Sequence, residues 1–104
     1  MSEDKELNFS YDPNNVMFGG TIQQITIGTN KSGTPKTTAI VHCRSARGQS
    51  FDTKVVVIGH GTPGDKLREL YESKSYCWVQ GRLASDKSRR VWIIPSHVFD
   101  GGAE

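Results

Sequence analysis

Eight basic side chains and four flat ones have the types and placement to do chemistry in this 104-residue chain. Lys31 and Lys36 flank a turn-rich stretch, Arg44 and Arg47 stand at a hairpin tip, and Lys54 sits on an alternating run. Lys87, Arg89 and Arg90 fill a polar loop. The flat residues are His42, Phe51, Trp78 and Trp92. Together they suit recognition of a polyanion: cations track phosphates and release their counterions, and flat rings accept unpaired bases. Catalysis finds no support. His42, His60 and His97 are far apart in sequence, with no carboxylate at a ligand-like spacing. Gly59-His-Gly-Thr-Pro-Gly64 lacks the Lys-Ser/Thr of a phosphate loop and reads as a turn entering a helix. No cofactor, metal or small-molecule substrate is expected. Cys43 and Cys77 form no CxxC or zinc spacing, so they read as reduced thiols in or near a core.

The elements that must hold these residues are short strands. The length suits one domain. Residues 1–13 read as a flexible acidic arm, 14–100 as the folded domain and 101–104 as a short tail. Five runs have strand character: Val16 to Ile27, bent at Gly19-Gly20; Lys36 to Arg44; Ser50 to Ile58; Ser75 to Leu83; and Arg89 to Phe99. Between the third and fourth, Thr62 can cap a helix, Pro63 suits its first position and Asp65 its first turn. Leu67, Leu70 and Tyr71 form its apolar stripe. The order is three strands, a helix and two strands.

Charge is distributed unevenly. Residues 1 to 30 carry Glu3, Asp4, Glu6 and Asp12 against Lys5 alone, whereas residues 31 to 90 carry the other 12 basic residues against five acidic ones. A basic body behind an acidic arm points to a polyanion partner. No apolar run reaches the ~18 residues of a membrane span, and the acidic start is unlike a signal peptide, so a soluble, cytoplasmic protein is expected.

Alternation assigns faces. Ala39, Val41 and Cys43 point inward, as do Cys77, Val79, Val91 and Ile93, while His42, Arg44, Tyr76, Trp78 and Trp92 point outward. The run Val55 to Ile58 looks covered on both sides. Trp78 and Trp92 are expected to share one exposed patch, serving either as a stacking platform or as the seam between subunits.

Five strands with a helix between the third and fourth is the order of the OB-fold, a Greek-key barrel. The segment Asn15-Val-Met-Phe-Gly-Gly-Thr-Ile22 resembles the opening strand of bacterial and phage-type single-stranded DNA-binding proteins. Thr29 to Pro35 resembles the turn that follows it, Val55-Val-Val-Ile-Gly59 with Leu67 and Leu70 their third strand and helix, and Val79-Gln-Gly-Arg-Leu83 their fourth strand. Gly59-His60 and Val79-Gln80-Gly81 also resemble the related primosomal replication protein N. In place of an outward aromatic of that family, the third strand carries Asp52. The resemblance implies an all-β protein with one short helix, a five-stranded OB-fold Greek-key barrel. It implies a non-catalytic, largely sequence-independent single-stranded DNA-binding protein of replication, recombination or repair, assembled as a homodimer or homotetramer. Binding to RNA stays open, and the alternative reading is a protein-interaction module or primosome accessory protein on the same barrel. The expected contacts are Lys31, Lys36, His42, Arg44, Arg47, Phe51, Lys54, Trp78, Lys87, Arg89, Arg90 and Trp92.

Overall fold

The computed structural model describes residues 14–43 and 52–103. The acidic arm and the expected contacts Arg44, Arg47 and Phe51 lie outside the described residues. The elements follow the expected order: β1 (Val16–Thr29), β2 (Pro35–Cys43), β3 (Thr53–His60), α1 (Thr62–Glu72), β4 (Ser75–Ser85) and β5 (Val91–Ala103).

The strands close a barrel in the order β1-β2-β3-β5-β4, with β4 returning to β1. One long, bent strand makes closure possible. Val16 to Thr21 pairs with β4, and from Thr21 onward β1 pairs with β2 across a bulge between Ile22 and Gln24. The Gly19-Gly20 bend therefore falls where β1 passes from one partner to the other, as bulges and glycines do at barrel corners. On the far side, β3 and β5 run parallel with Val57 opposite Ile93.

Inward residues from every second position build the core: Ala39, Val41, Val57, Cys77, Val79 and Ile93, with Leu67 and Leu70 of α1 packed against them. Phe18, Ile22, Ile25 and Val55 pack around this centre. Of the run expected to be covered on both sides, only Val57 is fully buried, while Val55, Val56 and Ile58 are half-buried.

Four details differ from the sequence expectation. Thr62 does not cap the helix. Because β3 runs on to His60, the chain must reverse at Gly61, which is the N-cap at φ 63 and ψ −134 and makes no side-chain cap bond. Tyr71 leaves the buried stripe and is 42% exposed, because the last turn of α1 overhangs the barrel rim beside Ile22 and Ser75. Val91 points to the inner side yet is 55% exposed. The β4–β5 ladder runs to the pair Ser85–Val91, past the point where β1 begins opposite Gly81, so nothing of β1 covers it there. Finally, the expected tail is strand: β5 continues to Ala103, which pairs with Ser75, and Gly102 pairs with Tyr76. No helix among the described residues is long and apolar enough to cross a membrane.

Candidate nucleic-acid interface

Directly opposed residues of an antiparallel pair point to the same side of the sheet. On β2 and β3 the outward pairs are Lys36–His60, Thr38–Ile58, Ile40–Val56 and His42–Lys54. This face thus has an aliphatic middle and basic groups at both ends. The parallel contact extends it onto β5. Val57 and Ile93 are both buried, so their neighbours Trp92 and Ile94 turn outward beside β3. Trp92 is half-buried and Ile94 is 46% exposed. Opposite them on β4 stand Ala84 and Arg82. Arg82 is a cation that the sequence reading passed over, although its parity with Trp78 already placed it outward.

At the His42 end a carboxylate joins the basic groups among the described residues. His42 Nε2 donates to Asp52 Oδ2 at 2.8 Å, and the His42 side chain is only 15% exposed. Asp52 thus anchors the His42 ring. Among the described residues, the β2–β3 face carries cations and aliphatic groups but no aromatic ring other than the two histidines.

The two basic loops are the same structure built twice. In the first, Asn30 Oδ1 accepts the N–H groups of Ser32 (3.0 Å) and Thr34 (2.9 Å), and Asn30 N–H donates to Thr34 O at 3.0 Å. In the second, Asp86 Oδ1 accepts the N–H groups of Ser88 (2.9 Å) and Arg90 (3.0 Å), and Asp86 N–H donates to Arg90 O at 3.2 Å. In each, the fourth residue donates back to the carbonyl of the first and has a positive φ: 87 at Gly33 and 65 at Arg89. The matching sequences Asn30-Lys-Ser-Gly and Asp86-Lys-Ser-Arg are the signal for this twin construction, which follows from the way Asn and Asp side chains bind backbone two residues on. Each loop places one lysine, Lys31 or Lys87, at an exposed position next to its clasp.

The cations of the second loop are not equivalent. Partial burial works against ionisation of Asp86, but the Arg90 backbone N–H, the Arg90 guanidinium and the Ser88 N–H together hold its carboxyl below its ordinary value. Arg90 Nε lies 2.9 Å from Asp86 Oδ2. Arg90 is therefore engaged within the loop, and Lys87 and Arg89 are its outward charges. Arg89 occupies a left-handed conformation that the twin loop gives to glycine, at a cost of about 1 kcal/mol for an L side chain.

Trp78 stands elsewhere. Trp78 pairs with Phe99 and Trp92 with Ala84, so six residues of β4, roughly 20 Å, separate the two tryptophans along the ladder. They do not form the single patch that the sequence suggested. Counting alternation gave each side chain its face but not its height on the barrel. Trp78 instead joins Tyr76, Phe99 and His97, the last two stacked at 5.9 Å with an interplanar angle of 8°. That band was missed, because the same-strand pairs Tyr76–Trp78 and His97–Phe99 come together only through the β4–β5 register.

No protein-family model and no curated protein matches the chain. Solved structures do. The SSB domain of a Synechococcus sp. protein superposes with a TM-score of 0.68 at 15% identity, over 86% of this chain and 98% of that one. The mitochondrial single-stranded DNA binding protein of S. cerevisiae gives a TM-score of 0.71 at 11% identity, covering 90% and 99%. PriB of Ralstonia solanacearum gives 0.65 at 13% identity, covering 86% and 99%. What these likenesses establish, together with the closed β1-β2-β3-β5-β4 order, is the fold: the chain is a five-stranded OB barrel of the kind those proteins share.

Proposed function

We propose that this protein is a non-catalytic, largely sequence-independent single-stranded DNA-binding protein acting in replication, recombination or repair. The observation that carries the reading is one continuous outer face. Lys36 and Lys54 mark the ends of its β2–β3 part, and Trp92 on β5 supplies a ring beside it. Lys87 and Arg89 close the β4–β5 side, and Lys31 stands in the β1–β2 loop. Phosphates meet the cations, and an unpaired base rests on Trp92. Stripping counterions from phosphates makes such binding fall with salt, and each stacked base is worth about 1–3 kcal/mol. Among the described residues of this face none singles out a 2′-hydroxyl, so the proposal leaves RNA open as a ligand of the same face.

The test is titration with oligo-dT, an equal-length duplex and oligo-U at two salt concentrations, following tryptophan emission. Single-strand binding that weakens with salt, with the duplex far behind, supports the proposal, and no binding at low salt overturns it. Reversing Lys54 and Arg89 to Glu separates this reading from a protein-interaction module, which the double change would leave intact.

The proposal includes a cytoplasmic location, in keeping with Cys43 and Cys77 as reduced thiols. It also includes assembly into a homodimer or homotetramer. Sedimentation equilibrium reads the stoichiometry directly.

A further inference from the structure

Beside the His42 end of the β2–β3–β5 face, a groove of about 830 Å³ is lined by Gly19, Gly20, Thr21, Gln23, His42, Cys43, Tyr76, Trp78 and Gly101. Its size falls among clefts that hold small ligands, roughly 300–1,000 Å³. The wall is an indole held in place. A Cβ on Gly19 would lie 2.8 Å from Trp78 Cε3, and one on Gly101 would lie 3.1 Å from Trp78 Cδ1. Trp78 therefore rests against two stretches of bare backbone, and it stays 49% exposed. This is a rigid platform with one side seated and the other available. Tyr76, 44% exposed, extends the wall.

The rest of the lining is polar. Thr21, Gln23 and His42 bring hydroxyl, amide and imidazole groups to the groove, and among the described residues no carboxylate lines it. Asp52 and Asp100 stand nearby, but Asp52 is bound to His42, and Asp100 accepts the Gly102 N–H at 2.8 Å. A purely apolar partner would leave the hydroxyl and amide unmatched. A flat ring with a hydrogen-bonding edge matches both kinds of wall.

The groove is also continuous with the proposed face. Across the sheet, Lys54 on β3 opposes His42, His42 opposes Thr21, and Thr21 opposes Tyr76. A strand leaving the β2–β3 face at Lys54 reaches Trp78 by crossing the narrow end of β2 and β1. We propose that this groove is a second base-binding site, in which an unpaired nucleobase stacks on Trp78 and its edge bonds to Thr21 and Gln23. The site rests on the reading of the protein as a single-strand binder and adds a second, separate stacking position to it.

Two single-tryptophan variants test it. Trp92→Phe leaves Trp78 as the reporter, and Trp78→Phe leaves Trp92, so each site is followed alone during titration with oligo-dT of stepped lengths. The expected result is quenching of Trp92 by short oligonucleotides and of Trp78 only once the strand is long enough to span both. Trp78→Ala should then weaken binding of the long oligonucleotide about five- to 150-fold while leaving the short one unchanged. Gly19→Ala, which unseats the indole, should reproduce that length-dependent loss if Trp78→Ala fails to fold. Long oligonucleotides that bind and quench Trp92 but never Trp78 overturn the second site and leave the first intact. Trp78 emission that shifts with protein concentration and ignores DNA overturns it too, by assigning the groove to a second copy of the chain. Silence of both reporters, with no binding by anisotropy of labelled oligo-dT, removes the underlying reading itself.

Discussion

Arg89 is the residue at which conformation and chemistry pull apart. Its twin position holds Gly33, and the backbone of both loops needs φ in the left-handed region. Replacing Arg89 by Gly should therefore raise stability slightly, by about 0.5–1 kcal/mol, while weakening oligo-dT binding and reducing the salt slope by about one. Denaturant melts and a salt series check both signs, and equal binding would mean that Arg89 touches no phosphate. Cys77 answers to burial alone: desolvation pushes its thiol up to about 11 from 9.0. A thiol that stays protonated in the fold but ionises in the unfolded chain makes stability fall as pH rises from 9 toward 11, and not below 9. Native protein at pH 8 should consequently leave Cys77 unalkylated by iodoacetamide until denaturant is added, as peptide mass mapping would read.

At the scale of elements, the β4–β5 loop is a clasp in which one carboxylate serves as scaffold and counter-charge at once. Asp86→Asn keeps an oxygen to accept the Ser88 and Arg90 N–H groups but removes the charge paired with Arg90. Oligo-dT affinity should rise and its salt slope steepen by about one, with thermal stability nearly unchanged. A drop in affinity would show that the clasp itself presents the cations. The Asp86 carboxyl is held below 3.8, so the ion pair persists at neutral pH and is lost only in acid, as pH falls through that lowered value. The helix has a different task. Leu67 and Leu70 are 0% and 1% exposed against the barrel core, so α1 closes one end of it. Leu67→Ala should lower the unfolding free energy by about 2–5 kcal/mol without touching the outer face, measurable by urea titration.

For the whole molecule, the arrangement of charge suggests competition. Glu3, Asp4, Glu6 and Asp12 precede Asn14, whose amide bonds both the N–H and the carbonyl of Leu83 at 2.9 and 3.0 Å. That anchor puts the start of the described chain beside β4, four residues before Lys87. Deleting residues 1 to 12 should tighten oligo-dT binding, most at low salt, and an unchanged affinity would dispose of the competition. The barrel was legible in the chain itself. Alternating runs, the Leu67/Leu70 stripe and the Gly19-Gly20 bend are local patterns, because strand and helix periods act over a few residues. So were the outward faces of Lys54, Trp78 and Trp92, and the two loops that carry Lys31 and Lys87. What local pattern could not supply is register and height. Trp78 and Trp92 share a parity, yet the β4–β5 pairing and its bulges set them roughly 20 Å apart and hand them to different surfaces. The same pairing brings His97 and Phe99, distant in sequence, beside Trp78 and Tyr76. Only barrel closure, which joins β3 to β5 and β4 to β1, decides which side chains become neighbours, because strands remote in the chain are brought together by hydrogen-bonded pairing and burial.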